Sequence, residues 1–236
     1  MSDSIVIVSA ARTPMGSFQS DFASLAAHDL GGVAIKAAVE RAGIQPAQVD
    51  EVIFGNCLMA GQGQAPARQA GFKGGLPKSA GAVTLSKMCG SGMRAAMFAH
   101  DMLLSGSADV VVAGGMESMT NAPYLAQGAR GGFRYGNTEL QDAIVRDGLW
   151  CAFDACLMGL GTERYAAGGI TRDQQDDMAM KSNVRAAAAI AEGRFTDEIV
   201  PVNIPQRKGD PVVVATDEGD GGGGTHVDRK STRLNS

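Results

Sequence analysis

Apolar residues fall along the first half of the chain in short bursts separated by stretches with helical spacing. Ile5-Val6-Ile7-Val8 makes Ser4–Ala10 an expected opening strand, and the spacing over Ala26–Ala42 predicts a helix ended by Gly43. Val52-Ile53-Phe54-Gly55 reads as the next strand, Pro66–Phe72 as a short helix and Val83-Thr84-Leu85-Ser86 as a third strand. A helix is predicted over Ser91–Leu104, followed by a buried strand at Ala108–Val112 closed by Gly114-Gly115. Such alternation yields a layered α/β domain with a mixed, largely parallel sheet covered on both faces.

From Asn121 to about Arg194 the texture changes to glycine-rich turns and then a helical signal over Thr171–Ala191. Thr171 with Gln174 three residues on has the form of a capping box, and Asp173 suits the positive end of the helix dipole. Strand signals resume at Ile199–Ile204 and Val212–Ala215. The expected organisation is a core domain over 1–120, an inserted loop domain over 121–194 and a return to the core over 195–218. Residues 219–236 form a tail: four consecutive glycines at 221–224 cannot bury apolar surface. Asp228–Ser236 reads like a translated sequencing adapter rather than native protein, so the native reading is expected to be lost after about Glu218.

Composition narrows the function classes. A net charge of -4 leaves no broad positive field for nucleic acid. No apolar run approaches the roughly 18–20 residues that span a bilayer, and no basic leader precedes Ile5, which points to the cytoplasm. Cys57, Cys89, Cys151 and Cys156 are too scattered for a disulfide framework, and with only His28, His100 and His226 no zinc set is completed. Neither Gly61-Gln62-Gly63 nor Gly90-Ser91-Gly92 extends to Gly-x-Gly-x-x-Gly, which argues against a dinucleotide. The pair Arg207-Lys208 reads as solvated charge or as a contact for coenzyme A phosphates.

The chemistry concentrates in Leu85-Ser86-Lys87-Met88-Cys89-Gly90-Ser91-Gly92, which passes from a strand through a tight turn into a helix. A thiol in that turn faces exposed helix-start amides, a setting that favours thiolate, while Gly90 and Gly92 admit a substrate closely. Spacing alone leaves two readings open, a nucleophile or a small buried hydrophobe. Cys57, Cys151 and Cys156 lack that context and read as packing residues.

Four motifs in order settle a resemblance. Lys87-Met88-Cys89-Gly90-Ser91-Gly92 is similar to the acyl-enzyme motif of the thiolase family. Ser9-Ala10-Ala11-Arg12-Thr13-Pro14 resembles that family's opening, Gly61–Gln69 its second signature, and Ala113–Tyr124 its approach to the loop domain. Within the family the likeness is greatest to acetyl-CoA acetyltransferases. The resemblance implies a thiolase fold, here its amino-terminal half, and acyl transfer between coenzyme A thioesters through a thioester on Cys89. Acetyl-CoA or 3-ketoacyl-CoA is the implied substrate, with no further cofactor and no metal, in a homodimer or homotetramer. Leu149, Leu157 and Met158 fall where the family lines its pantetheine tunnel, although Leu157-Met158-Gly159 replaces a frequent His-Met-Gly.

The family's later Gly-His-Pro histidine and Cys-x-Gly cysteine have no counterpart in residues 1–236, so this stretch alone is expected to turn over poorly. The alternatives are a longer-chain 3-ketoacyl-CoA thiolase and a nonenzymatic half-thiolase that binds or assembles.

Overall fold

The computed structural model describes residues 4–218. At its centre lie three parallel strands, β1 (Glu51–Gly55), β2 (Gly81–Leu85) and β3 (Val111–Gly115), in the order β2-β1-β3. Glu51 stands beside Gly81 on one side and Val111 on the other, and Gly55 beside Leu85 and Gly115. The central strand is the most buried of the three, with Val52, Ile53, Phe54 and Gly55 all buried, because both of its faces are covered.

The pleat divides those residues between two layers. Val52 and Phe54 face helices α1 (Ala27–Ala42) and α2 (Pro66–Lys73) in a cluster with Ile35, Val39, Ala70 and Met116. Ile53 faces the other way, onto Ala95 and Ala99 of helix α3 (Ser91–Leu104). Burying each of these large side chains contributes roughly 1.5–3 kcal/mol. Asp29 accepts the Ala26 amide at 2.8 Å to open α1, Gly43 ends it at φ +68°, and Lys73 at the end of α2 pairs with Asp29.

The stretch that follows holds two small antiparallel pairs, β4 (Tyr124–Leu125) with β5 (Gln141–Asp142) and β6 (Trp150–Cys151) with β7 (Cys156–Leu157). A π-helical segment, Ile144–Leu149, leads into β6, and α4 (Met158–Ala166) leaves β7. Helix α5 (Arg172–Ala191) opens on the capping box read from the sequence: Gln174 N donates to Thr171 Oγ1 at 3.3 Å and Thr171 N to Gln174 Oε1 at 2.9 Å. Strands β8 (Val202–Ile204) and β9 (Val212–Val214) pair antiparallel and pack with Phe22.

Three expectations shift. Ser4–Ala10 forms no strand, and Ile7 is 92% exposed. An apolar pattern supplies the faces of a strand but not its ladder, and the region is tied near its end by Ser9 Oγ to Ala38 O, Arg41 Nη1 to Ala10 O and the bridge of Arg12 to Ile199. The strand expected at Ala108–Val112 starts instead at Val111 and includes Gly114-Gly115. The Asp50 carboxylate takes the Asp109 and Val110 amides at 2.8 and 3.0 Å, which holds that entry outside the ladder. The expected strands Ile199–Ile204 and Val212–Ala215 shorten to β8 and β9 and form a separate ribbon beside the main sheet. The expectations for the tail lie outside the described residues, as does His226. Among the described residues no helix is long and apolar enough to cross a membrane.

Candidate active site

Strand β2 ends at Leu85, and three residues later the backbone turns sharply: Met88 holds φ +49°. A side chain in the left-handed region costs about 1–2 kcal/mol, so the corner needs fixing from outside. Three donors meet the Met88 carbonyl: Ser91 Oγ at 2.6 Å, Ser91 N at 3.0 Å and Cys57 Sγ at 3.1 Å. The Ser91 hydroxyl also accepts Lys87 N at 2.8 Å, and Gly90 N closes the turn on Lys87 O at 3.1 Å. Met88 is thereby pinned while the next residue, Cys89, stands free. Its thiol is exposed and makes no hydrogen bond among the described residues.

Gly90 is the residue before the first turn of α3, and Ser91 begins the helix, buried at 5% exposure. The Cys89 thiol therefore sits at a helix start where the Gly90 and Ser91 amides are bonded to Lys87 O and Met88 O and the amides that follow lack helical acceptors. Two close approaches seat that start on the sheet. A Cβ at Gly55 would lie 2.5 Å from Ser91 Cβ and 2.8 Å from Gly92 N, and one at Gly92 would lie 3.8 Å from Gly114 O. Only glycine at 55 lets the helix begin so near the end of β1.

Behind the corner lies a polar brace. Glu117, just past β3, accepts Asn56 Nδ2 at 2.6 Å, Cys57 N at 2.8 Å and Leu58 N at 3.3 Å. Asn56, 1% exposed, sends its amide NH to Leu85 O at 3.0 Å, and Nδ2 also reaches Met116 O at 3.3 Å. Its Oδ1 is buried without a protein partner. Glu117 thus fixes the turn that presents Cys57, and Cys57 in turn touches Met88. Sequence reading missed Ser91, Glu117 and the brace role of Cys57. The available signals were a polar residue at the first position of a buried helix start and an acid directly after an apolar strand.

Leu149, Leu157 and Met158 come together on one hairpin. Trp150 pairs with Leu157 across β6 and β7, so Leu149 and Met158 flank that pair. All three are exposed. The preceding Gly148 approaches Leu58, with a Cβ there 3.2 Å from Leu58 Cδ2, so the hairpin leans on the residue next to Cys57. Two clefts lie elsewhere. One of about 310 Å³ runs along α5 by Asp177 and Arg185, and one of about 270 Å³ lies between Phe195 and Asp217. Cys89 lines neither.

The remaining signatures do structural work. Arg12 makes a two-pronged ion pair with Asp217 at 2.7 and 2.9 Å, reaches Glu198 at 2.9 Å and lies 5.1 Å over the Phe195 ring. In the second signature, Gln69 Nε2 holds the carbonyls of Gln62 and Gln64, and Arg68 those of Ala80 and Lys78. Asn121 ties the fourth to Leu25 O at 2.9 Å. Burial lowers the pKa of His28 first, with Lys73 adding to it and Asp29 opposing. His100 is exposed beside Asp101. No hydrogen bond joins either histidine to Cys89.

Comparison with known proteins gives the corner its setting. The family described as thiolase, N-terminal domain, matches residues 5–227. The chain belongs to the thiolase family. It is 52% identical over 215 residues to an acetyl-CoA acetyltransferase of Cupriavidus necator, a match covering 91% of this chain and 55% of that protein. Proteins of the same name from Chromobacterium violaceum and Pseudomonas aeruginosa are 50% and 48% identical over 215 residues, with the same coverage of each chain. This thiolase-family chain therefore spans about half the length of the curated relatives it matches. The Cys89 corner and the Leu157 hairpin both lie within the family match.

Proposed function

We propose that this thiolase segment carries the acyl group in a coenzyme A-dependent acyltransferase, acetyl-CoA C-acetyltransferase in type, with Cys89 as the nucleophile. The exposed, unbonded thiol at a pinned strand-to-helix corner is the observation that supports it. In the first half-reaction the Cys89 sulfur attacks the thioester carbonyl carbon. A Cys89 thioester forms as the carbon–sulfur bond to coenzyme A breaks, and the proton lost from Cys89 ends on the departing thiol. In the second, the acyl group passes to the α-carbon of acetyl-CoA or to the sulfur of free coenzyme A. The first route builds a 3-ketoacyl thioester, the α-proton of acetyl-CoA ending on the Cys89 sulfur. The second completes cleavage when the Cys89 thioester has formed instead by attack on the 3-keto carbonyl carbon of a 3-ketoacyl thioester, which breaks the bond from that carbon to the α-carbon and releases acetyl-CoA with the Cys89 proton on its α-carbon.

With the Gly90 and Ser91 amides already donating to Lys87 O and Met88 O, the next helix-start amide, that of Gly92, is the donor offered to negative charge that develops beside the sulfur. Leu149, Leu157 and Met158 would line the path of the pantetheine arm, since a thin apolar channel suits it. An apolar, half-open Leu157 supports a second reading with longer acyl chains, and chain-length kinetics separate the two. The proposed chemistry uses the coenzyme A thioester as substrate and calls on no metal. Packing of Phe22 with Val202, Ile204 and Val214 supports reading 195–218 as a return to the core after an inserted 121–194 lobe. A cytoplasmic homodimer or homotetramer is the corresponding proposal for the assembled protein.

Mass spectrometry after incubating the intact protein with acetyl-CoA tests the proposal. An acetyl group on the peptide holding Cys89, absent in Cys89→Ser and removed by added coenzyme A, is the expected result. A protein that binds acetyl-CoA without acquiring that group would overturn it in favour of a binding subunit.

A further inference from the structure

The β6–β7 hairpin sets Cys151 directly opposite Cys156. Both are free thiols, Cys151 half-exposed and Cys156 buried. Residues facing each other across antiparallel strands point to one side, with Cβ atoms roughly 4.5–5.5 Å apart, whereas a disulfide wants roughly 3.5–4.5 Å. A closing movement of about 1 Å and a turn of each side chain about χ1 join the two ranges. What holds the thiols now is weak. Cys151 Sγ lies 3.7 Å from Asp154 Oδ2 and 3.5 Å from Asp154 N, and Cys156 Sγ receives Arg164 Nη1 at 3.7 Å. The four-residue turn between them is held by Ala155 in the left-handed region at φ +48°, which returns the chain so that the cysteines meet.

We infer that Cys151 and Cys156 are a reversible disulfide site, oxidised by a peroxide or by a small disulfide such as oxidised glutathione. Cys151, the more open thiol, reacts first: its sulfur attacks one peroxide oxygen, giving a sulfenic acid and one water. Cys156, sheltered behind it, then attacks that sulfur, forming the S–S bond and releasing the second water. Two thiols are oxidised by two electrons in all, and a dithiol reverses the process by exchange. With oxidised glutathione, two molecules of glutathione leave instead of two waters.

A metal does not explain the pair, since among the described residues no group of three metal-binding side chains is assembled. Because the ring spans only residues 151 to 156, the bond removes little chain entropy from the unfolded state and stays easily reduced, as a switch requires. The closed bond would stiffen the hairpin that carries Leu157 and leads into Met158, and would release Arg164 from its sulfur contact. This assignment does not depend on the role of Cys89.

Peptide mapping tests it. Trypsin releases Asp147–Arg164 with both cysteines, while Cys57 and Cys89 fall in separate peptides. Folded, reduced protein is treated with hydrogen peroxide or oxidised glutathione, alkylated and digested without reductant. Asp147–Arg164 is expected to be lighter by two hydrogen atoms and unalkylated, and dithiothreitol before alkylation should restore two alkyl groups. In Cys156→Ser, Cys151 should instead retain sulfenic acid or glutathione. Two alkyl groups on the oxidised wild-type peptide, glutathione retained on its Cys151, or closure only after denaturation would each overturn the proposal.

Discussion

Ser91 donates its hydroxyl to the carbonyl oxygen of Met88 at 2.6 Å while accepting the amide of Lys87 at 2.8 Å. One buried side chain thereby satisfies both sides of a turn whose apex residue has a left-handed backbone. The sulfur of Cys89 is presented by its neighbours rather than held by any bond of its own.

Ser91→Ala leaves the Lys87 amide without its acceptor and removes one of three donors from Met88. A hydrogen bond of this kind contributes about 0.5–1.5 kcal/mol, so unfolding in denaturant should begin at correspondingly lower concentration. The rate of Cys89 alkylation by iodoacetamide should change as well. A variant matching the wild type in both measurements would mean that the hydroxyl is dispensable to the corner.

Glu117→Gln keeps one acceptor oxygen where the carboxylate offers two. The Asn56 side chain and the Cys57 and Leu58 amides would compete for it, with an expected loss of about 1–3 kcal/mol. Glu117 does not touch Cys89, so its effect should appear as slower acylation of Cys89 together with lower stability. Glu117→Asp, with the charge retained on a shorter arm, should recover part of each; parallel acylation time courses and melting curves provide the check.

Gly55→Ala drives a methyl group to 2.5 Å from Ser91 Cβ and 2.7 Å from the Ser91 carbonyl carbon. The obstacle is a helix backbone, which cannot swing aside like a long side chain. Overpacking of this kind costs about 1–3 kcal/mol and would displace the start of α3, so both the melting temperature and the acetylation rate should fall.

Acid should weaken the join between Arg12 and the end of the described chain. The Arg12 hydrogen bond is the main influence holding the Asp217 pKa below its usual value; burial opposes it and the Met15 amide assists. A depressed carboxylate pKa contributes stability that is present in full above the unfolded value, near 3.8, and is lost as pH falls through the lower folded value. Asp217→Asn should therefore be less stable than wild type at neutral pH, with the gap narrowing as pH drops below about 4. A gap that stays constant from neutral to strongly acidic pH would contradict this account.

Local signals in the sequence were read well. The span of α3, the capping box at Thr171 and the position of Cys89 between strand and helix all depend on neighbours within a few residues. Ser4–Ala10 failed because pairing needs a partner distant in sequence, which an apolar pattern does not announce. β3 began late because Asp50, some 60 residues earlier, captures the amides of Asp109 and Val110. Glu117 and Cys57 were missed for the same reason: one is an acid after a strand and the other a thiol after another strand, and only folding brings them behind Met88.

Helix α5 runs for 20 residues with no buried side chain, held by its amino-terminal cap and by the one-turn ion pairs Arg172 with Asp176 and Asp177 with Lys181. A helix with so little buried surface frays independently of the sheet. Its amides would trade hydrogen for deuterium long before those of β1, and a protease would find its first foothold there while the layers around Ile53 stayed closed.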